Sequence, residues 1–316
     1  MPEIITIGET MCAFSSRTLG LLRYSRSFEM KIAGAESNFA IGVAKLGHDC
    51  GWMSWLGEDE FGHFILNSVR AEGVDCAQVH FTEEAPTGLM FKQRVPGNET
   101  SVFYYRKGSA ASRMRLCPED IEYLKTASCI HLTGITPMLS ECCQRLFEEI
   151  FELAEKNRIR ISFDPNVRLK LCDTPEKLEL LKGYLRRAQV ILLGVEEAEL
   201  LLGVKSYDAI CDTLFAEGKA EIIAVKNGAK GAFVADRTER LELPPFPCKA
   251  IESVGAGDAF NAGFLSGLLE KQPLNVCGQM GAIAGALTTE NIGDIEGMPL
   301  KEQMRRLLDG EAQIYR

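Results

Sequence analysis

A glycine turn followed by an aspartate, late in the sequence, contains the residues best suited to chemistry. It reads Val254-Gly255-Ala256-Gly257-Asp258 and opens a segment whose apolar residues recur at helical spacing. At a helix start the first main-chain N–H groups have no partner within the helix, and the helix dipole is positive there. Glycines let a ligand approach that backbone closely, so the turn predicts a phosphate-binding site. The carboxylate of Asp258 could accept a proton from an alcohol at the same place.

Other interpretations of this turn follow from the residues alone. A Gly-Ala-Gly-Asp sequence is also typical of a purely structural helix start with a tight turn. A dinucleotide-binding fingerprint belongs after the first strand of a βαβ unit, and residue 255 is too far along the chain for that. The Walker pattern of P-loop kinases is absent from the sequence. The residues therefore leave open a phosphate site of another kind and a structural helix start.

Short apolar strands alternate with helical segments along most of the chain. We predict strands at 4–7, 129–132, 159–163, 190–193, 222–225 and 232–235, and helices that include 35–46, 140–156, 175–187 and 207–217. This alternation favours an α/β fold, with a mostly parallel sheet covered by helices on both faces. Ligands of such folds bind beyond the carboxyl ends of the strands.

Two stretches, at about 13–33 and 86–108, interrupt the alternation. Both are rich in aromatic, β-branched and basic residues and lack helical periodicity. The second predicts a hairpin, with strands at Gly88–Val95 and Ser101–Arg106 joined by a turn at residues 96–99. We expect the two stretches to form a small antiparallel sheet that acts as a lid, inserted in a single α/β domain covering residues 1–316.

The composition is that of an ordinary soluble protein and argues against several classes of function. A formal net charge of -9 disfavours a nucleic-acid partner, because phosphate backbones bind clustered basic faces. The apolar runs are too short to span a bilayer, and the first residues lack the pattern of a secretion signal. The 11 cysteines include no Cys-x-x-Cys pair, as expected of reduced thiols. We therefore expect a cytoplasmic protein without a membrane partner.

Over nearly its whole length the sequence resembles the ribokinase-like (PfkB) carbohydrate kinases. Residues 255–258 are similar to the C-terminal signature of that family, and residues 34–40 to its N-terminal signature. Further segments fall between them in the family order: Leu56-Gly57-Glu58-Asp59-Glu60-Phe61-Gly62, Gly73-Val74-Asp75, Pro86-Thr87-Gly88, Glu196-Glu197-Ala198-Glu199 and Lys226-Asn227-Gly228-Ala229-Lys230-Gly231. The resemblance implies a ribokinase-like three-layer fold with a β-sheet lid, and transfer of the γ-phosphate of ATP to a sugar hydroxyl.

The resemblance also implies a role for each matching residue. Asp258 would be the catalytic base, and the N–H groups of Gly255, Ala256 and Gly257 would stabilise charge on the transferring phosphoryl group. Glu197 matches the family glutamate that orients Mg²⁺ and its waters. The ATP pocket would include Lys226, Gly228, Gly231 and Gly257.

Two departures from the family pattern argue against ribose and fructose as substrates. Ala13 stands where many relatives have an aspartate that binds ring hydroxyls, and Ala35 replaces the lysine of the ribokinase signature. By contrast, residues 103–110 and 163–170 resemble the 2-keto-3-deoxygluconate kinases, in which a Tyr-x-Arg pair and a later arginine bind the substrate carboxylate. The planar fork of arginine matches carboxylate geometry. The residues expected to bind the sugar acid are Gly34, Asn38, Tyr104, Arg106 and Arg168.

The resemblance thus implies phosphorylation of 2-keto-3-deoxygluconate at its terminal 6-hydroxyl. Within the same family, a fructokinase, a 5-dehydro-2-deoxygluconate kinase and a nucleoside kinase stay open as alternatives. A sugar-binding regulator without catalysis is disfavoured, because such a protein has no need of the base Asp258.

Two further residues depart from the family pattern, and one segment is a candidate dimer interface. Glu252 replaces the aspartate that usually begins the C-terminal signature, near a monovalent-cation site of many relatives, so dependence on K⁺ stays open. Gly194 replaces the asparagine that precedes the Mg²⁺-orienting glutamate by three residues. Relatives often pair through their lid sheets, and the aromatic-rich segment Phe91–Tyr105 would suit a homodimer interface.

Overall fold

The computed structural model describes residues 1–95 and 99–310, so the turn predicted at residues 96–99 lies almost wholly outside the described part. Within it, nine strands form a central sheet in the order β13-β12-β11-β10-β9-β8-β1-β4-β5. Their bounds are β1 Ile4–Ile7, β4 Cys50–Gly57, β5 Val79–Thr82, β8 Cys129–Thr133, β9 Arg160–Asp164, β10 Val190–Gly194, β11 Ile222–Lys226, β12 Ala232–Asp236 and β13 Arg240–Leu243. The seven strands from β11 to β5 run parallel, and β12 and β13 are antiparallel additions at one edge.

Helices cover both faces of this sheet. One face packs against α3 Pro118–Leu124, α4 Glu141–Asn157, α5 Pro175–Arg187, α6 Val195–Leu202 and α7 Tyr207–Glu217. The other face packs against α1 Ala35–Lys45, α2 Glu60–Ala71, α8 Ala256–Leu269 and α9 Leu274–Thr289, with α10 Lys301–Leu308 outside α9. Strand residues divide between the faces with period two: Ile191 and Leu193 enter the first core, whereas Val190 and Leu192 enter the second. The predicted three-layer α/β fold is confirmed.

The predicted strands and helices named above are found to within one residue at either end, except that the strand predicted at Ser101–Arg106 begins two residues earlier, at Glu99. Strands β4, β5 and β13 were not predicted. In β4 the buried residues include Gly51, Ser54 and Gly57 among its apolar side chains, which obscures the strand pattern. No helix in the described ranges is long and apolar enough to cross a membrane.

A second sheet of four strands stands beyond the carboxyl end of β1. Its order is β3-β2-β6-β7, with β2 Met11–Ser16, β3 Phe28–Ala33, β6 Leu89–Val95 and β7 Glu99–Tyr105. The prediction of a purely antiparallel sheet is wrong in one pairing, since β2 and β6 are parallel. The reason is topological: β2 follows β1 and β6 follows β5, so both strands leave the same edge of the central sheet in the same direction.

Candidate functional site

The start of α8 is shaped by a glycine that no other residue could replace without strain. Gly255 precedes the helix with φ of +80°, and a Cβ atom there would lie 2.4 Å from the carbonyl oxygen of Asp294. Among the residues that the structure describes, no side chain caps the helix start. The N–H of Gly255 has no partner among the described residues, and by helix geometry those of Gly257 and Asp258 lack intrahelical acceptors, so the turn can bind an anion. The N–H of Ala256 lies 3.4 Å from the carbonyl oxygen of Ser253.

Asp258 lies in this first turn and is only 8% exposed. Its Oδ2 accepts a hydrogen bond of 2.9 Å from the Nδ2 of Asn38, which is on α1. Burial raises the pKa of Asp258 to about 7, although the Asn38 hydrogen bond and the positive charge of Arg168 act in the opposite direction. A carboxylate with this pKa exists in both protonation states near neutral pH, so it can accept a proton from an alcohol and release it again.

The N-terminal signature reaches the same place through packing of α1 against α8. Gly34 precedes α1, and its carbonyl oxygen accepts the N–H of Asn38 at 2.8 Å. A Cβ on Gly34 would lie 2.5 Å from the carbonyl oxygen of Glu9, which follows β1. The structure therefore brings Asn38 into direct contact with Asp258 and places Gly34 one helical turn before Asn38.

A buried ion pair lies beside the glycine turn. The Nζ of Lys226, at the end of β11, contacts the Oδ2 of Asp164 at 2.6 Å and the Oδ1 of Asn261 at 3.2 Å. The Nδ2 of Asn261 donates to the same oxygen of Asp164 at 2.6 Å. The Lys226 Nζ is also 3.8 Å from the position of a Cβ on Gly257, so the lysine borders the predicted anion site.

The charges of this cluster hold each other in the ionised state. Burial by itself would raise the pKa of Asp164, but the charge and hydrogen bond of Lys226 lower it below its usual value. Burial would lower the pKa of Lys226, and the carboxylates of Asp164 and Glu197 raise it instead.

Asp164 and Asn261 were missed as site residues, although signals for both were present. Asp164 is the last residue of β9 and begins the Asp-Pro-Asn-x-Arg segment, and Asn261 follows Asp258 by three residues on one helix face.

Glu197 joins two segments near the cluster. Its Oε2 accepts the N–H of Gly194 and its Oε1 accepts the N–H of Val167, both at 2.7 Å. Burial and the nearby charge of Asp164 raise the pKa of Glu197. Each carboxylate oxygen retains a further lone pair, and two carboxylates face one lysine here, so this donor set fits water-mediated binding of Mg²⁺.

The glycines of the predicted ATP pocket form the turn between β11 and β12. Gly228 and Gly231 have φ of +52° and +96°, and a Cβ on Gly231 would lie 2.1 Å from the carbonyl oxygen of Leu243. The N–H of Asn227 donates to the carbonyl oxygen of Gly231 at 2.9 Å and closes the turn. The positive φ of both positions explains why glycines are found there. Lys226, directly before this turn, also lies beside Gly257 at the start of α8.

The predicted acid-binding residues come from different elements. Tyr104 is on β7 and 42% exposed, and Arg106 follows β7 with its guanidinium carbon 5.7 Å from the Tyr104 ring centre. Arg106 forms an ion pair with the buried Glu9, which sequence reasoning missed. Arg168 is exposed in the loop after β9, and its positive charge acts to lower the pKa of Asp258 against the larger effect of burial. Burial raises the pKa of the Glu36 carboxyl, two residues after Gly34, and the positive charge of Arg106 opposes that shift.

Comparison with known proteins identifies the family of this site. The model of the family described as "pfkB family carbohydrate kinase" matches residues 1–301. The chain belongs to the PfkB family. It is 34% identical over 316 residues to the 2-dehydro-3-deoxygluconokinase of Bacillus subtilis, covering 99% of this chain and 97% of the relative. It is 28% identical to the 5-dehydro-2-deoxygluconokinase of Clostridium tetani, covering 97% and 92%.

A solved PfkB protein from a Polaromonas species has the same fold. It is 33% identical in sequence, superposes with a TM-score of 0.88, and covers 96% of this chain and 99% of its own. The resemblance on which the sequence prediction depended is therefore confirmed for the family and the fold.

Proposed function

We propose that this PfkB kinase transfers the γ-phosphate of ATP to the terminal 6-hydroxyl of 2-keto-3-deoxygluconate, also called 2-dehydro-3-deoxygluconate. The observation that carries the proposal is the buried carboxylate of Asp258 in the first turn of an uncapped helix. A base and a set of main-chain N–H donors are thereby held on one turn of backbone. The 34% identity to a 2-dehydro-3-deoxygluconokinase supports the choice of substrate.

In the proposed reaction Asp258 takes the proton of the 6-hydroxyl as the hydroxyl oxygen attacks the γ-phosphorus of ATP, and the bond from that phosphorus to the bridging oxygen breaks so that ADP leaves. The N–H groups of Gly255, Ala256 and Gly257 stabilise negative charge that develops on the transferring group. Asn38 holds the Asp258 carboxylate in position through its 2.9 Å hydrogen bond. The proton received by Asp258 can leave to water afterwards, because its pKa of about 7 allows either state.

On the nucleotide side we assign Lys226, Gly228, Gly231 and Gly257 to binding of ATP. Lys226 supports this role because it lies between the β11–β12 turn and the α8 start. Mg²⁺, bound through water near Glu197, would neutralise phosphate charge. K⁺ would bind near Glu252, whose Oε2 accepts the N–H of Gly293 at 3.1 Å.

On the sugar side we assign the substrate carboxylate to Arg106 and Arg168, with Gly34, Asn38 and Tyr104 around the rest of the molecule. Ala13 supports a sugar acid over a furanose: it is buried on the second sheet and offers no polar group to a ring hydroxyl. Charged hydrogen bonds contribute about 1.5–3 kcal/mol each, so a carboxylate compensates for the lost hydroxyl contacts.

The second sheet is proposed to be the lid of a single kinase domain. Ala13, Met90 and Tyr104 are cross-strand neighbours on one face of this sheet. Glu9 lies just before β2 and Arg106 just after β7, so both are attached to strands of the same sheet. The opposite face exposes Phe103 and Tyr105, and pairing of two copies through this face would cover them. ATP and a small sugar acid are the remaining proposed partners.

The deciding experiment is ADP release measured with a panel of acceptors, with and without K⁺. We expect turnover of 2-keto-3-deoxygluconate to exceed that of fructose, ribose and adenosine. The 5-dehydro-2-deoxygluconate acceptor tests the second candidate, which the Clostridium relative favours. Faster turnover of fructose or adenosine would refute the assignment to a sugar acid.

The Arg106→Ala variant tests the carboxylate contact directly. It should lower kcat/KM for the acid by about 10- to 150-fold, equivalent to one charged hydrogen-bonding group, and leave the KM for ATP unchanged. Wild-type kinetics in this variant would show that Arg106 does not bind the acid.

A further inference from the structure

The buried carboxylate of Glu9 holds both ends of one tight turn. Its Oε1 accepts a hydrogen bond of 2.5 Å from the hydroxyl of Ser109, and its Oε2 faces the Nη2 of Arg106. The N–H of Ser109 donates to the carbonyl oxygen of Arg106 at 3.1 Å, and Gly108 between them has φ of +73°. The Glu9 carboxylate therefore holds both the side chain of Arg106, directly after β7, and Ser109, at the other end of the turn.

Two glycines approach Glu9 closely, one at its side chain and one at its main chain. A Cβ on Gly88 would lie 2.7 Å from its Oε1, and a Cβ on Gly34 would lie 2.5 Å from its carbonyl oxygen. Glycines thus clear the space on two sides of the residue, and its side chain is 1% exposed. Because it is buried and held by Ser109 and Arg106, this carboxylate can act as a fixed support.

The guanidinium that Glu9 contacts has capacity for another ligand. The Arg106 side chain is 12% exposed, and its buried Nε has no hydrogen-bond partner among the described residues. Leaving a buried donor unsatisfied is unfavourable, so an acceptor brought by a ligand would stabilise this arrangement. Glu9 occupies Nη2, and the remaining N–H groups of the planar fork are available for that acceptor.

We propose that Glu9 is a positioning residue that sets the preference for an acidic substrate by orienting Arg106. The inference rests on the proposed function, in which Arg106 binds the substrate carboxylate. Glu9 holds the guanidinium plane in its binding orientation before the substrate arrives, so less ordering is needed on binding. It also balances the buried charge of Arg106, which lets the arginine remain inside the site without a ligand.

The test is a double-mutant cycle on kcat/KM for 2-keto-3-deoxygluconate and for its methyl ester, which lacks the charge. Glu9→Gln keeps the size of the side chain and removes the ion pair. We expect it to lower kcat/KM for the acid by about tenfold or more, mostly through KM, and to change the ester and the KM for ATP little. The matched control is Glu84→Gln, which removes the charge from an exposed Glu–Arg pair with Arg113 and should leave kcat/KM unchanged.

In the Arg106→Ala background, Glu9→Gln should have no further effect on the acid. Because Arg106→Ala leaves a buried charge at Glu9, Arg106→Lys, which keeps a charge pair and removes the planar fork, is measured in parallel. If Glu9→Gln lowers kcat/KM equally with Arg106 present and absent, or equally for acid and ester, Glu9 supports the turn and does not position Arg106. If Arg106→Ala lowers activity and Glu9→Gln does not, this inference fails while the proposed function stands. If Arg106→Ala has no effect, this inference and the assignment of the substrate carboxylate to Arg106 both fail, whereas the acceptor panel still decides the proposed function.

Discussion

Replacement of Asp258 by asparagine should stabilise the protein while removing its proposed base. Burial raises the pKa of this carboxyl from 3.8 to about 7. Below pH 3.8 both the folded and unfolded states are protonated there. Between pH 3.8 and 7 the unfolded chain loses its proton first, so the free energy of unfolding falls as the pH rises, and above pH 7 the loss is complete.

The shift of about three pKa units corresponds to about 4 kcal/mol at pH 8 and about 2 kcal/mol at pH 5. Asparagine avoids this cost because it does not titrate, and its side-chain oxygen can still accept the N–H of Asn38. We therefore expect Asp258→Asn to raise the free energy of unfolding towards those limits, and more at pH 8 than at pH 5. Its kcat should fall by about 10²- to 10⁴-fold, the usual contribution of a general base.

Urea unfolding at the two pH values, without ATP, measures the stability, and ADP release measures the activity. The control is Asp173→Asn, in which an exposed carboxylate that pairs with Lys177 is neutralised and no stabilisation is expected. If Asp258→Asn is no more stable than the wild type at pH 8, or its advantage does not shrink at pH 5, the burial argument is wrong. Retention of full kcat would refute the assignment of the base.

Three further outcomes follow from the site. The kcat/KM of the wild type for the sugar acid should rise as the pH increases through about 7, where Asp258 of the free enzyme loses its proton, and a flat profile from pH 5.5 to 8.5 would contradict this. Lys226→Met should destabilise the protein by about 3–5 kcal/mol because it leaves Asp164 buried and unpaired; adding Asp164→Asn should recover much of the loss, and purely additive losses in urea unfolding would argue against coupling. Gly255→Ala should cost more stability than Gly73→Ala, since both have positive φ but only the first places a Cβ against Asp294; equal losses would refute the steric argument.

The fold could be predicted because its determinants are local. Apolar runs such as 190–193 and 222–225 identify buried strands, and their alternation with amphipathic helices leaves few arrangements other than a parallel sheet. The order of β1 and β8 in the sheet, and the parallel pairing of β2 with β6, depend on which strand ends lie next to each other. No short segment of the sequence carries that information.

The site was predicted unevenly for the same reason. Gly255 and Asp258 are neighbours in sequence, so a single turn reveals them, whereas the Asp164–Lys226–Asn261 cluster joins three elements. Glu9 and Arg106 are nearly a hundred residues apart, and neither sequence context indicates a charged partner.

The two buried aspartates explain how one site can contain both a fixed charge and a proton acceptor. Asp164 contacts the Lys226 ammonium directly and accepts a second hydrogen bond from Asn261, so its pKa falls despite burial. Asp258 has the neutral amide of Asn38 as its hydrogen-bond donor, and the charges of Arg168 and Lys226 act on it too weakly to offset burial. A permanently ionised carboxylate suits a site for cations, and a carboxylate that titrates near neutral pH suits a base. Exchanging their surroundings would exchange their roles, so the position of Lys226 determines which aspartate can take the proton.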